Sequence, residues 1–234
     1  MIRHFGVLIP STNTTVETEC RLLPPAYQAH IGRLMTSTPG QTFSPSRDED
    51  IDYQSRLLGT AKVELVILAQ TSASLFADDY DEVVTQRMSA GAGVPAITSA
   101  QAIGRALCAL RARRIAIVSP YSAAVNERAA RYFEIKHGLE TVALEGFGAT
   151  DSYAIGNLGP ENARDAFARI VLGPGAGRSL LRLQREHLPR RDRVALIAGD
   201  PRHPLLVADH QRGRDASESP LSGALAPDQS AIAW

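Results

Sequence analysis

Residues 63–76 read VELVILAQTSASLF: an aliphatic run followed at once by Gln70, Thr71, Ser72 and Ser74. A continuous apolar run of this length, rich in Val, Ile and Leu, is the pattern of a strand buried on both faces. Strands covered on both faces belong to parallel sheets flanked by helices, where ligands bind beyond the carboxyl ends of the strands. The hydroxyls therefore stand where such a fold places its chemistry, although a Ser/Thr-rich turn with no further role has the same composition.

The rest of the chain follows the same rhythm. Apolar runs predict strands over 5–10, 29–35, 63–69, 114–119 and 141–146, with a shorter one over 94–99. Helix-period segments alternate with them over 14–23, 48–62, 80–89, 100–112, 122–137 and 160–170. This predicts an α/β protein of two similar lobes, each a parallel sheet flanked by helices. The strand–helix alternation restarts near Val94, which divides the chain into an N-terminal lobe at 1–93, a second lobe at 94–170 and an atypical tail at 171–234. All six Phe and all six Tyr precede Ala168, and the tail is rich in Arg, Pro, Gly and Asp. One tail segment, RVALIAGD, reads as a strand, and the remainder reads as poorly ordered.

Charge narrows the function. Lys plus Arg and Asp plus Glu number 25 each, so neither nucleic acid nor an anionic membrane is an expected partner. No stretch has the length of a membrane span, and the opening apolar run is too short for a signal peptide. Two cysteines, Cys20 and Cys108, do not make a disulfide framework, and a reducing cytoplasmic home is expected. Both share helical faces with apolar residues and read as buried, inert thiols. His187, His203 and His210 lack metal-ligand spacing, and GPGAG at 173–177 lacks the Lys-Ser/Thr ending of a phosphate loop.

Three strand ends carry polar groups. IPSTNTTVETE, at 9–19, places Ser11, Thr12 and Asn13 before a helix start, with Thr14 and Glu17 at capping-box spacing. The amides there suit a carboxylate, and a well-capped helix with no ligand explains the residues equally well. AQTSAS offers Thr71 and Ser72 to hold a carboxylate or a developing enediolate. VSPYSAAVNER, at 118–128, projects the Tyr121 phenol towards the same crevice, or packs the ring at a helix start.

Together GVLIPSTNTTVETE, VILAQTSAS, VPAITSAQAIGRALCALRARRIAIVSPY, VNERAARYFE and YAIGNLGPE resemble the aspartate/glutamate racemase superfamily, on its branch of maleate cis–trans isomerases and arylmalonate decarboxylases. The resemblance spans about residues 5–170. It implies two α/β lobes with the active site between them, no metal or organic cofactor, a small mono- or dicarboxylate substrate, and room for a homo-oligomer. The family's chemistry uses strand-end thiols: racemases use two, isomerases attack the double bond with the first, and decarboxylases keep the second to protonate an enediolate. Carried over, Ser11 and Asn13 bind a substrate carboxylate in a pocket shaped by Pro10, and Tyr121 donates to a carboxylate oxygen. The isomerase cysteine aligns with Thr71, and the pair Thr71–Ser72 matches the decarboxylases' hydroxyls. Ser152 stands where isomerases tend to have Asn. Two-thiol racemisation and maleate isomerisation are thereby disfavoured, and a dioxyanion-hole enzyme is the better fit.

After residue 170 the family continues with a strand ending in a Ser-x-Cys motif, a helix, and a strand ending near Pro-Val-x-Thr-Asn, none of which is written here. A one-base frame shift near residues 170–175 restores the order. Leu181-Arg182-Leu183-Gln184 then permits Ser-Ala-Cys-Asn, and Ala208-Asp209-His210-Gln211 permits Pro-Thr-Thr-Asn. A genuinely divergent C-terminus is the alternative. As written, the chain could also be a carboxylate binder without turnover, or an unstable frame-shifted product exposing sheet edges.

Overall fold

Two four-stranded sheets form the computed structural model, which describes residues 1–35, 45–172, 194–200 and 203–208. The first has the order β2-β1-β3-β4, from β1 (Arg3–Pro10), β2 (Tyr27–Leu34), β3 (Val66–Leu68) and β4 (Ala96–Thr98), all parallel. The second has the order β6-β5-β7-β8, from β5 (Arg114–Ser119), β6 (Glu140–Gly146), β7 (Val194–Asp200) and β8 (His203–Ala208). Here β5 is parallel to β6 and β7, whereas β8 is antiparallel to β7. The predicted α/β architecture of parallel sheets flanked by helices is the one observed.

Alternation along the central strands explains the layers. Phe5, Val7 and Ile9 of β1 pack on one face with Ile67 and with Val16 and Cys20 of α1 (Val16–Cys20). Leu8 faces the other way, onto Ile51 and Leu58 of α2 (Asp48–Thr60) and Val84 and Met88 of α3 (Tyr80–Ala92). In the second sheet, Ile115 and Ile117 pack on Ile103 and Leu107 of α4 (Ser99–Ala109) and on Ala129 and Phe133 of α5 (Ala123–His137). Ala116 and Val118 meet Ala163, Ala166 and Phe167 of α7 (Pro160–Leu172) on the opposite face. Both central strands are thus buried on both sides, as their unbroken apolar runs require.

Several expectations are corrected. The first sheet runs past the boundary expected at residue 93, because β4 pairs with β3 in register, Leu68 opposite Thr98. The strand expected over 63–69 is only Val66–Leu68, and a 3-10 turn, Thr71–Leu75, follows it. A short helix, α6 (Ser152–Gly156), was not foreseen, although Asp151 caps it by accepting from the Ala154 amide at 2.8 Å. The tail segment read as a strand is β7. Its neighbours at 173–193, with residues 173–175 of the suspected frame-shift region among them, lie outside the described residues, as do His210 and the GPGAG run. Among the described residues no helix is long and apolar enough to cross a membrane.

A row of contacts joins the lobes. One face of α5 presents Arg128, Arg131, Tyr132 and Lys136 to the segment around the start of α3. Arg128 lies over the Phe76 ring at 5.3 Å, Arg131 pairs with Asp78 at 3.2 Å, and Lys136 pairs with Glu82 at 2.8 Å. Between them the Tyr132 phenol donates to the carboxylate of Asp81, a residue only 2% exposed.

Candidate active site

The ends of β3 and β4 bring two hydroxyls together. The Ala69 amide still donates to Leu8 of β1 at 2.8 Å, after which the chain leaves the sheet at Gln70. The 3-10 turn closes with the Ala73 amide on the Gln70 carbonyl at 3.0 Å, burying Ser72 and Ser74. Gln70 is itself buried and accepts from Ser46 at 2.8 Å. Because Leu68 and Thr98 are in register, the residues just beyond them are neighbours, and the Thr71 and Ser99 hydroxyls share a hydrogen bond of 2.7 Å. Ser99 was not singled out from the sequence. The readable signal was TSAQ, a capping box: Thr98 accepts from the Gln101 amide at 3.1 Å and Gln101 accepts from the Thr98 amide at 3.2 Å.

The end of β5 delivers Tyr121 from the other lobe. The Tyr121 amide donates to Ser119 Oγ at 3.0 Å, and that hydroxyl donates to the fully buried Asn126. Gly146 on the neighbouring strand has to be a glycine here. A Cβ there would lie 2.3 Å from the Tyr121 carbonyl oxygen and 2.3 Å from Asn126 Nδ2. The phenol so placed comes near enough to Ser72 of the first lobe for that hydroxyl to act on its titration. Burial pushes its pKa up to about 12, with the Ser72 hydroxyl pulling the other way, so Tyr121 is a neutral hydrogen-bond donor at physiological pH.

The end of β1 is organised differently from its expected capping box. Asn13, rather than Thr14, caps α1: its Oδ1 accepts from the Thr15 amide at 3.1 Å and from Val16 at 3.0 Å. Glu17 turns away to pair with Arg33 at 3.0 Å, so it does not reach back to the turn. The other end of the Arg33 guanidinium donates to the carbonyls of Ser11 and Asn13, both at 3.0 Å, and clamps the turn. Ser11 is half-buried, and among the described residues its hydroxyl donates to the weak acceptor Sδ of Met35 at 3.8 Å. Pro10 closes the strand, half-buried and level with Leu34 of β2. Thr12 reaches across to the second lobe, sharing a 3.0 Å hydrogen bond with Ser152.

The predicted residues therefore form two groups at neighbouring strand ends. Thr71 and Ser72 are adjacent in the 3-10 turn and Tyr121 approaches Ser72 from the other lobe, while the pair Thr12–Ser152 joins the lobes by a hydrogen bond. Ser11 and Asn13 lie at the end of β1, which runs beside β3 in register, Leu8 opposite Leu68. Neither cysteine belongs to either group. Cys20 is half-buried at the end of α1, and burial pushes its thiol up to about 11. Cys108, expected to be buried, is instead exposed near the end of α4, with its thiol towards the His137 carbonyl at 3.7 Å.

Comparison with known proteins bears on the family and the fold. The arylmalonate decarboxylase family model matches residues 5–181, somewhat past the expected limit at 170. A maleate isomerase of Pseudomonas putida is 29% identical over 173 residues, covering 68% of this chain and 69% of that protein. A maleate isomerase of Alcaligenes faecalis is 25% identical over 182 residues, covering 71% and 72%. In fold, the chain resembles the solved maleate cis–trans isomerase of Nocardia farcinica bound to TRIS, with a TM-score of 0.60 at 21% identity, covering 88% of this chain and 80% of that one. It also resembles a crystal structure of arylmalonate decarboxylase, with a TM-score of 0.56 at 20% identity, covering 73% of each chain. With most of its length matched by the family model, the chain belongs to the arylmalonate decarboxylase family.

Proposed function

We propose that this chain binds a small mono- or dicarboxylic acid beyond the ends of β1, β3 and β5 and stabilises the enediolate derived from it. That makes it a decarboxylase, racemase or isomerase that works without a cofactor. The observation that carries the reading is the placement of Thr71 and Ser72 at the end of β3 and of Tyr121 at the end of β5, with the Tyr121 phenol close to Ser72, so that hydroxyls of different lobes meet. With Thr71 they supply three donors to the two oxygens of a carboxylate, and donors placed before the charge develops need not reorganise as it forms. Asn13 spends its carbonyl oxygen on the helix and keeps its amide nitrogen for a second carboxylate, beside the Ser11 hydroxyl and against Pro10. Ser152, joined to Thr12, closes that side of the pocket.

In a decarboxylation the bond between the α-carbon and the departing carboxylate breaks. Its electron pair passes into the remaining carboxyl group as an enediolate, carbon dioxide leaves, and a proton then adds to the α-carbon. The sequence contains two cysteines, and neither stands at a strand end. Thiol addition to a double bond and two-thiol proton exchange therefore lack their reacting groups in this chain. Decarboxylation remains open, with water supplying the proton, and water has no reason to choose a face.

The test is incubation of the full chain with a prochiral arylmethylmalonate and, separately, with maleate. Release of carbon dioxide with racemic product is the expected result. Conversion of maleate to fumarate would overturn the hydroxyl-only reading. Binding of malonate by calorimetry without turnover would favour a second reading, a carboxylate binder, which the lack of a strand-end thiol supports. Sequencing the gene across codons 165–185 decides whether the missing thiol belongs to the protein.

A further inference from the structure

The pair Thr71–Ser99 contains a hydroxyl that the fold does not need. Helix α4 already has a complete capping box in Thr98 and Gln101, so its first turn makes no demand on Ser99. Ser99 is nevertheless only 6% exposed, and the partner of its hydroxyl is Thr71 at 2.7 Å. A buried hydroxyl is stable there because that one bond replaces the water it has lost. An alanine would fit the same helical position with a better helix propensity.

We infer that Ser99 is a positioning residue for the candidate site, acting through Thr71; this rests on the carboxylate-binding reading above. Thr71 has one hydroxyl proton to give. When Ser99 donates to Thr71 Oγ1, that proton is turned away from Ser99 and towards the crevice. A hydroxyl that accepts one hydrogen bond is also a stronger donor in the next, so negative charge on a bound oxygen polarises both groups together. Ser99 touches no substrate. It sets the direction and strength of a donor that does.

Calorimetry with malonate on the full chain, with the variants Ser99→Ala, Ser99→Thr, Thr71→Val and the double variant Thr71→Val/Ser99→Ala, tests this. We expect Ser99→Ala to weaken binding by about threefold to tenfold, the size of one modest hydrogen bond. Ser99→Thr should restore affinity by returning the hydroxyl, and the double variant should bind no more weakly than Thr71→Val alone. Thermal melting of each variant separates folding losses from these effects. If Ser99→Ala lowers only the melting temperature, or if the two losses simply add, Ser99 is a structural residue and the inference is overturned. If the unsubstituted chain binds no malonate, the carboxylate site itself is wrong and this role falls with it. Binding by the unsubstituted chain with Ser99→Ala unchanged overturns the role of Ser99 alone.

Discussion

The two sheets share a strand order, with β1 and β3 central in the first and β5 and β7 central in the second. They part company at the last strand. Between β3 and β4 lie residues 69–95, enough for the 3-10 turn and for α3 before the chain returns parallel. Between β7 and β8 lie only residues 201 and 202, and a connection that short permits an antiparallel partner alone. The first lobe thus gains a strand-end turn that carries Thr71 and Ser72. Among the described residues the second has no equivalent turn after β7, which ends at Asp200. Its contribution comes from β5, through Tyr121. The site is therefore asymmetric: hydroxyls come from the second central strand of one lobe and the first central strand of the other.

The largest test of that comparison is core truncation in each lobe. Leu8→Ala and Ile115→Ala, both at fully buried positions of central strands, should each cost about 2–5 kcal/mol in chemical denaturation. If the lobes are coupled through α5, either substitution moves one common transition; two separate midpoints would show independent lobes. Next in size is Tyr121→Phe, which removes a single donor shared between the lobes. Its kcat should fall roughly 10²–10³-fold, with the melting temperature little changed. Tyr121 also fixes an alkaline limit: with its pKa near 12, activity should persist past pH 10, the ordinary value for a phenol. A loss centred at 10 would mean the ring lies in water.

Smaller still is Tyr132→Phe, which breaks the buried hydrogen bond between α5 and α3 and leaves the Lys136–Glu82 pair. Asp81 would remain buried without its donor, and its Oδ1 already lacks a partner, so a loss of about 1.5–3 kcal/mol is expected. The sharper readout is whether the two lobes then melt apart. The smallest effect is a pH dependence at His137. Burial is the main cause lowering its pKa from 6.5, the nearby Arg105 and Lys136 add to it, and the charge of Asp81 opposes it. The ring fills the space beside Gly104, and its Nε2 has no partner. The folded state therefore binds this proton less readily than the unfolded state. The stabilisation is complete above 6.5 and shrinks as the pH falls towards the folded-state value. Melting temperatures at pH 7.5 and 5.5 should differ more in the parent chain than in His137→Phe.

Much of the fold was legible because burial writes itself into continuous apolar runs; β5 was delimited to the residue at 114–119. The 3-10 turn was not, because Thr71–Leu75 is too short to show a period and its serines look like a loop. The α1 cap was misassigned because Asn13 and Thr14 are both good caps, and sequence spacing cannot show that Arg33 draws Glu17 aside. Arg33 arrives from a neighbouring strand. Of the site, the residue types at three strand ends were readable, since hydroxyls at the end of a buried strand are conspicuous. Their bonding was not. Ser99 pairs with Thr71 across 28 positions of sequence and Ser152 with Thr12 across 140, distances over which only the register of the sheets and the docking of the lobes decide who meets whom.

The clamp made by Arg33 bears on how a carboxylate reaches this crevice. Its charge is matched by Glu17 through one terminal nitrogen and the other terminal nitrogen is tied to two backbone carbonyls, so it casts little field into the solvent. The chain as a whole has no net charge to add. Beyond a screening length of about 8 Å the clamp therefore does little to draw an anion inward. Its part comes after arrival, in holding the turn whose hydroxyl and amides the anion touches.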